Sequence, residues 1–554
     1  MSTPIALHDR SFDVLVIGGG INGVAIAREC AQNGKRTLLV EQNDFSSGTT
    51  SRSTRIIHGG LRYLEHGEIA LVRESLHERE HLLAQSPHLV RPLEFLLVLP
   101  KNPRSLLRSS LAVRAGLWLY RHWAGPTHLR SHDPHALERR LDAGDSWSVY
   151  SYEDAQCEFP ERLVAEWLVE TMAAGALARN HTQALEVTRS DGRVTGAKLR
   201  DLISAQEYSV TARWVINAAG PWADTIIGAS GISSRRMIGG VRGSHLVLPK
   251  LPGVDKPVYA EAPDGRQIFV LPWNGQILVG TTEVADSADP AKTQPSSDEV
   301  DYLLKSFLRL FPESGATKAD IRYCFAGIRP LPVAAGTNYS AVTRRHILHD
   351  HAEEGAAGLI SIIGGKLTTA ASLARDLGRK IGLHTREPVS VYAEPIPEDD
   401  LEATVRQWAR FVAGKARISE DCAQGVAEWH GRRALAIANA AAIDERLREP
   451  ICSHTCHLVA EAVESVTHEC AVTLGDILLR RVPVALGACW SDSCSREAAT
   501  KIGAAIGWDQ GRIDLELEGF EEERRTFLHP STSSPVSDRP GDTSPQPWVR
   551  TEPV

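Results

Sequence analysis

The sequence predicts an α/β protein: a discontinuous Rossmann-type dinucleotide-binding domain, an antiparallel-sheet domain inserted into it, and a helical domain towards the C-terminus. Three observations predict this. A strand–glycine turn–helix–strand unit opens the chain between Phe12 and Val40. Short apolar strands that end in small residues return at 214–217 and 359–363, after long insertions. From about residue 400, Ala, Arg, Glu and Leu dominate and strand signals fade.

Phe12–Ile17 is β-branched and apolar, as a buried strand is, and Gly18–Gly23 forms the turn after it. Val24–Asn33 has helical composition and Gly34 stops it; Thr37–Val40 is the second strand. Glu65–Ala84 reads as one helix with mixed charges, followed by Pro87, Pro92, Pro100 and Pro103. Trp214–Asn217 runs into Ala218-Ala219-Gly220-Pro221. Residues 245–249, 268–272 and 277–281 read as antiparallel strands, with turns at Pro263-Asp264-Gly265 and Asn274-Gly275. Leu359–Ile363 ends in Gly364-Gly365, and Leu367–Ile381 is helical in composition. The segment from His529 to Val554, rich in Pro, Ser and Thr, is expected to be disordered. The expected division is 1–80, 150–225 and 350–390 for the dinucleotide domain, 81–149 and 226–349 for the substrate domain, 391–528 for the helical domain and 529–554 for the tail.

Composition narrows the function. A chain of 554 residues with 42% hydrophobic residues buries several cores. A net charge of -8 provides no basic field, which argues against a nucleic-acid partner. The nine cysteines show no CxxC or Cys–His zinc spacing, so reduced, buried thiols and no metal are expected. Six of them, Cys422, Cys452, Cys456, Cys470, Cys489 and Cys494, fall in the last quarter and match no iron–sulfur pattern. No signal peptide is expected at Met1–Asp13, and no apolar run approaches the roughly 18 residues that a membrane span needs.

Gly18-Gly19-Gly20-Ile21-Asn22-Gly23 is a G-x-G-x-x-G motif between strand and helix, and Glu41 follows 18 residues after Gly23. Gly18 permits the tight turn, Gly20 lets backbone approach a pyrophosphate, and Gly23 allows close helix–strand packing. The helix N-terminus offers N–H groups to the anion, and Glu41 can accept from ribose hydroxyls. NAD and FAD both use this motif. The split domain, with three approaches of side-chain-free backbone, suits the elongated FAD.

Beyond the glycine motif (IGGGINGVAIAREC, 17–30), the chain carries GTTSRSTRIIHGGLRYLE (48–65), GSHLVLP (243–249), AGIRPLP (326–332), VTRRH (342–346) and IIGGKLTTA (362–370). In this order they closely resemble the FAD-dependent glycerol-3-phosphate dehydrogenases of the aerobic, membrane-associated type. The resemblance is dense over residues 11–385 and continues through LGDILLRR (474–481). It implies hydride transfer from sn-glycerol 3-phosphate to flavin N5, giving dihydroxyacetone phosphate, and electrons passed to a quinone. It also implies a cytoplasmic protein held peripherally on the inner membrane; we expect a homo-oligomer.

Such a substrate needs a cationic clamp for phosphate and a base for the hydroxyl proton. The motifs supply Arg62, Arg329, Arg344 and Lys366 for the clamp, with Arg344 matching the family pattern rather than Arg345. Arg329 is assigned both to binding and to catalysis, and Tyr63 to donation or pocket lining. His245 is the preferred base, because a histidine ordinarily titrates near neutrality. The expected cofactor contacts are Gly18, Gly20, Asn22, Gly23, Glu41, Ser51, His58, Gly59, Gly60, Ala219, Gly220, Gly365, Lys366, Leu367 and Thr368. Where the family often has a Ser/Ala-rich run, this chain has Arg52 and Arg55, which leaves the flavin-loop contacts open.

Residues 101–130 contain Lys101, Arg104, Arg108, Arg114, Arg121 and Arg130 with no acidic residue, interleaved with Leu, Trp118 and Trp123. Such a stretch suits contact with an anionic membrane, although its arginines do not fall cleanly on one helical face. Three other readings compete: an oxidase of the same family using oxygen, a dehydrogenase of 2-hydroxy acids or amino acids, and an RNA-modifying flavoprotein. Four cations exceed what one carboxylate needs, and the acidic balance disfavours RNA.

Overall fold

A computed structural model of the chain describes residues 10–65, 67–101, 109–125, 141, 147–251, 254–262, 264–333, 342–384 and 401–529. Two sheets and a helical layer make up these residues. The first sheet runs Ile347–Asp350, Leu359–Ile363, Glu207–Asn217, Ser11–Ile17 (β1), Thr37–Val40 (β2), Leu177–Arg179. Its four inner contacts are parallel, and Ile347–Asp350 adds an antiparallel edge. Parallel strands are buried on both faces, and Val14, Leu15, Val16, Leu38, Leu39 and Val40 are all fully enclosed. Helix α1 (Ile21–Gln32) packs against helices Pro160–Ala173 and Ala370–Lys380 on one face of this sheet. The antiparallel pair Thr182–Ser190 and Arg193–Asp201 extends it from Glu207–Asn217.

The second sheet has nine strands. In order they are Val284–Ala285, Val241–Pro249, Gln276–Gly280, Gln267–Trp273, Val258–Glu261, Val90–Pro100, Trp147–Cys157 and Ile56–Ile57, with Tyr323–Arg329 on the other side of Val241–Pro249. The hairpin at Asn274-Gly275 has φ of 49° and 66°, the left-handed pair that a two-residue type I′ turn requires. The sheet is mixed, since Val258–Glu261 runs parallel to Val90–Pro100. The helical layer comprises Leu401–Ala416, Glu420–His430, Ala434–Ile443, Val459–His468, Asp492–Ile506 and Gln510–Phe527, with the helical segment Leu474–Arg481 in the long connection after His468.

Several expectations need correction. The helix expected over Glu65–Ala84 is two, Arg62–Glu65 and Ile69–Gln85, interrupted at Gly67 with φ of 72°. Trp147–Cys157 belongs to the second sheet, because it pairs along its whole length with Val90–Pro100 and carries Ile56–Ile57 on its other edge. Ile347–Asp350 conversely joins the first sheet, before the expected boundary. Cys422 and Cys456 are joined as a disulfide with Cα atoms 4.6 Å apart, where reduced thiols were expected. The start of helix Glu420–His430 and the turn before Val459–His468 bring them face to face. Cys489 is exposed rather than buried. Residues 530–554 of the expected tail lie outside the described residues.

Buried ion pairs dock the helical layer onto the cofactor half. Arg162 donates to both carboxylate oxygens of Glu469 at 2.7 and 3.0 Å, and both side chains are 0% exposed. Arg481 grips Asp44 in the same two-pronged way, at 2.8 and 2.7 Å, and Arg480 reaches the same carboxylate.

Candidate active site

The glycine turn has the shape its motif predicts. Gly18 has φ of 109°, and a Cβ there would stand 2.5 Å from the Ala218 carbonyl oxygen; one on Gly23 would stand 1.8 Å from that of Gly18. At Gly20 a Cβ would meet only Thr50 Oγ1, at 3.3 Å, so its space is left by the protein rather than filled by it. The first turn of α1 carries no acidic residue. Its Ile21 amide donates to Thr50 Oγ1 at 3.1 Å. Glu41 accepts from the amides of Gly19 at 2.7 Å and Asn43 at 2.9 Å, and burial raises its pKa. Asn22 Nδ2 donates to the Gly364 carbonyl at 3.4 Å, while Asn22 Oδ1 and Ser46 Oγ are buried without a hydrogen-bond partner. Buried polar atoms are normally satisfied, so this cradle fits a polar ligand such as a dinucleotide.

The other two approaches converge on it. Asn217 Oδ1 accepts from the Ala219 amide at 3.3 Å, and Gly220 has φ of 57°. The His58 amide donates to Thr368 Oγ1 at 3.1 Å, and the Gly59 amide to Tyr120 Oη at 2.8 Å. Tyr120 in turn donates to Asp154, which Arg79 also grips at 3.0 Å. Burial raises Asp154 to about 6. This buried network supports the turn through Gly60, which lies against the Tyr63 ring. Gly365 lies against Asn22, and Leu367 packs beside the core of the first sheet. Ser51 Oγ donates to the Ser46 carbonyl at 2.7 Å and shapes the 45–54 loop from within.

Arg52 in that loop and Arg55 just after it have structural partners. Arg55 makes a two-pronged pair with Glu161 at 2.8 and 2.9 Å and lies 4.6 Å from the Trp273 ring centroid. Arg52 donates to the Ser47 carbonyl at 2.9 Å and lies over Phe527.

All four expected clamp cations meet between the second sheet and these loops. Arg329 ends its strand with its guanidinium against the α-carbon of Gly243, where a Cβ would be 2.5 Å from Nη2. It donates to Thr281 Oγ1 at 2.9 Å and to the Thr282 carbonyl at 3.2 Å. Burial, with Arg344 nearby, lowers it to about 10, so it stays charged at neutral pH. Arg344 donates to Glu283 Oε1 at 3.0 Å, and Arg62 lies 3.8 Å from the same oxygen; Arg345 is exposed. Burial raises the Tyr63 phenol, against the opposing pull of Arg344, Arg62 and Arg329. Lys366 donates to Ser75 Oγ and places its ammonium 4.7 Å from the Tyr63 ring centroid. Burial takes Lys366 down to about 7.

His245 is 2% exposed, stacked on Phe325 at 4.9 Å, with Nε2 2.9 Å from Thr54 Oγ1. Its Nδ1 is buried with no protein partner. The expectation that it titrates near neutrality is overturned, since burial first, then Arg329 and Arg55, hold it at about 3. His58, buried beside Lys366, is likewise held at about 3.

Sequence reasoning missed Glu283, Thr50 and Thr281, whose types carry no signal on their own. It also missed the role of LGDILLRR. There the signal was readable: Arg480-Arg481 follow Ile477, Leu478 and Leu479 directly, and arginine buried in an apolar run demands partners.

In the 101–130 stretch, Arg104, Arg108 and Arg130 lie outside the described residues. Helix Ser110–Ala124 turns one face outward, bearing Leu111 (81% exposed), Arg114, Trp118 (66% exposed) and Arg121. Trp123 packs inward against the core. Among the described residues no helix is long and apolar enough to cross a membrane.

Comparison with known proteins places this geometry among relatives. The pattern of the FAD dependent oxidoreductase family matches residues 13–371, and that of the C-terminal domain of alpha-glycerophosphate oxidase matches residues 360–513. A glycerol-3-phosphate dehydrogenase of Synechocystis sp. is 34% identical over 541 residues, spanning 93% of this chain and 97% of that protein. A D-erythritol 1-phosphate dehydrogenase of Brucella abortus is 36% identical over 367 residues, 65% of this chain and 72% of that protein. The X-ray structure of the glycerol-3-phosphate dehydrogenase from Bacillus halodurans complexed with FAD shares the fold, with a TM-score of 0.74 at 23% identity, covering 96% and 97% of the two chains.

Proposed function

The chain belongs to the FAD-dependent glycerol-3-phosphate dehydrogenase family, and from that premise we propose that it oxidises sn-glycerol 3-phosphate to dihydroxyacetone phosphate and delivers the electrons to a membrane quinone. The observation that carries this reading is the meeting of Arg62, Arg329 and Arg344 at Glu283, with Lys366 beside Tyr63 and within reach of Arg344. That excess of positive charge suits a phosphate dianion better than a carboxylate monoanion.

Each residue has a distinct task in this account. Arg329 and Arg344 hold the phosphate, fixed by Thr281, Thr282 and Glu283. Arg62, Tyr63 and Lys366 close the clamp from the loops that also shape the cofactor cradle. His245 takes the hydroxyl proton on Nδ1, with Nε2–H donating to Thr54 Oγ1. Its depressed pKa keeps it unprotonated throughout the neutral range, while lowering its strength as a base. FAD supplies the acceptor for the hydride that leaves the hydroxyl-bearing carbon. The outward face of Ser110–Ala124 seats on anionic lipid, bringing the protein to its lipid-soluble acceptor.

A longer polyol phosphate is the second reading, favoured by the erythritol phosphate relative. The test is anaerobic turnover with a short-chain quinone, comparing glycerol 3-phosphate with erythritol phosphates and following the ketone product. Turnover of glycerol 3-phosphate at the higher kcat/KM supports the first reading. Turnover confined to the four-carbon substrate replaces it with the second. Peroxide formation in a parallel aerobic assay, with no reduction of the quinone, identifies an oxidase.

A further inference from the structure

The helical layer carries a second cluster of chemically capable side chains, separate from the site above. After helix Ala434–Ile443 the chain turns through Glu445–Arg448 into a loop closed on itself, with the Ile451 amide donating to the His457 carbonyl at 2.8 Å. This loop presents Cys452 and His454 to the start of helix Asp492–Ile506. Ser491 caps that helix by accepting from the Cys494 amide at 3.4 Å, which sets Cys494 in its first turn. His454 Nδ1 and Cys494 Sγ are 3.2 Å apart, and Ser491 Oγ donates to the same sulfur at 3.3 Å. The ligand atoms of Cys452, His454 and Cys494 all lie within 4.8 Å of one another. Both cysteines are buried.

These distances match a shared ion. A tetrahedral zinc ion with Zn–S of about 2.3 Å and Zn–N of about 2.0–2.1 Å separates its ligand atoms by roughly 3.5–3.8 Å. Two thiols and an imidazole select a soft or borderline cation over magnesium or calcium. The other two His/Glu groups are engaged differently. Glu78, beside His77 and His81, is paired with Arg375, and His351 is held between Glu354 and Ser361. Among the described residues, the polar neighbours of the two sulfurs are each other, His454, Ser491 and the Cys489 carbonyl.

We propose that Cys452, His454 and Cys494 bind one zinc ion that clips the 450–458 loop to helix Asp492–Ile506. Binding converts the two thiols to thiolates and releases their two protons to solvent, with the imidazole neutral. Exposed Cys489 lies beside the cluster, its Sγ donating to the His454 carbonyl at 3.6 Å. The sequence alone raises no such expectation, because Cys-x-His and a cysteine forty residues on form none of the common zinc spacings.

The test uses the full chain with FAD bound, reduced and freed of metal, then loaded with zinc or cobalt and desalted. We expect one equivalent of zinc per chain by elemental analysis, and with cobalt a sulfur-to-metal charge-transfer absorption. Cys452→Ser and Cys494→Ser should each lose the metal, and Cys470→Ala should keep it. Reduced wild-type protein that retains neither metal overturns the proposal, whatever the folding of the variants. So does metal retained in full by both serine variants.

Discussion

The amide of Gly364 donates a 2.8 Å hydrogen bond to the carbonyl of Pro330. It ties the loop carrying Lys366 to the turn that follows Arg329, and thus the first sheet to the end of the second. Thr49 adds a second tie, its hydroxyl donating to the Ile328 carbonyl at 2.8 Å. The cofactor cradle and the cationic clamp are therefore held by the same backbone.

Arg329→Ala should lower kcat/KM for glycerol 3-phosphate while FAD stays bound at full stoichiometry. A buried charge-assisted hydrogen bond is worth about 1.5–3 kcal/mol, which is about 10- to 150-fold. Steady-state kinetics with a dye acceptor measure it, and unchanged kinetics remove Arg329 from the clamp.

Lys366 should impose a pH dependence. Burial depresses its pKa to about 7, so the ammonium is present below that pH and lost above it. A cation that binds phosphate is then lost as pH rises, and kcat/KM should fall through about pH 7. Lys366→Met should remove this limb and Lys366→Arg should restore activity at high pH. A wild-type profile flat from pH 6.5 to 9 counts against the role.

His245→Ala should lower kcat by on the order of 10²–10⁴-fold, the usual worth of a positioned general base. Because burial holds His245 at about 3, it is neutral at every working pH. Any acid limb near neutrality should therefore survive in this variant. A loss of only a few-fold assigns the proton to another acceptor.

Glu469→Ala should destabilise the fold by about 3–5 kcal/mol, because it strands Arg162 as a buried, unpaired charge. Denaturant unfolding checks this. An apolar pair at both positions, Arg162→Met with Glu469→Leu, should recover only part of the loss, because Arg433 also pairs with Glu469 and is left with Glu464. Wild-type stability in Glu469→Ala shows that water reaches Arg162.

Arg114→Glu with Arg121→Glu should release the protein from anionic vesicles at low salt and spare dye-linked activity. Each basic residue near an anionic surface contributes about 1 kcal/mol. Sedimentation that does not distinguish anionic from neutral lipid reduces Ser110–Ala124 to an ordinary surface helix.

Much of this was legible in the sequence, and the limits are physical. β1, the glycine turn, α1 and β2 follow from local pattern, because strand periodicity, φ freedom and helix stopping act over a few residues. The expected boundary between 149 and 150 cuts the strand Trp147–Cys157, because its pairing with Val90–Pro100 is a long-range choice that local pattern does not encode. The four clamp cations came from motifs. Glu283, the carboxylate shared by Arg62, Arg329 and Arg344, and the depressed pKa of His245 depend on burial and neighbours that only the fold creates. The outward face of Ser110–Ala124 emerged once the helix bounds fixed which of its arginines share a side.

The most direct measurement is the visible flavin absorbance of the purified protein on anaerobic addition of candidate substrates. The account predicts bleaching by sn-glycerol 3-phosphate, and none by glycerol or by a 2-hydroxy acid at the same concentration. Bleaching by the 2-hydroxy acid, with the flavin untouched by glycerol 3-phosphate, would contradict it.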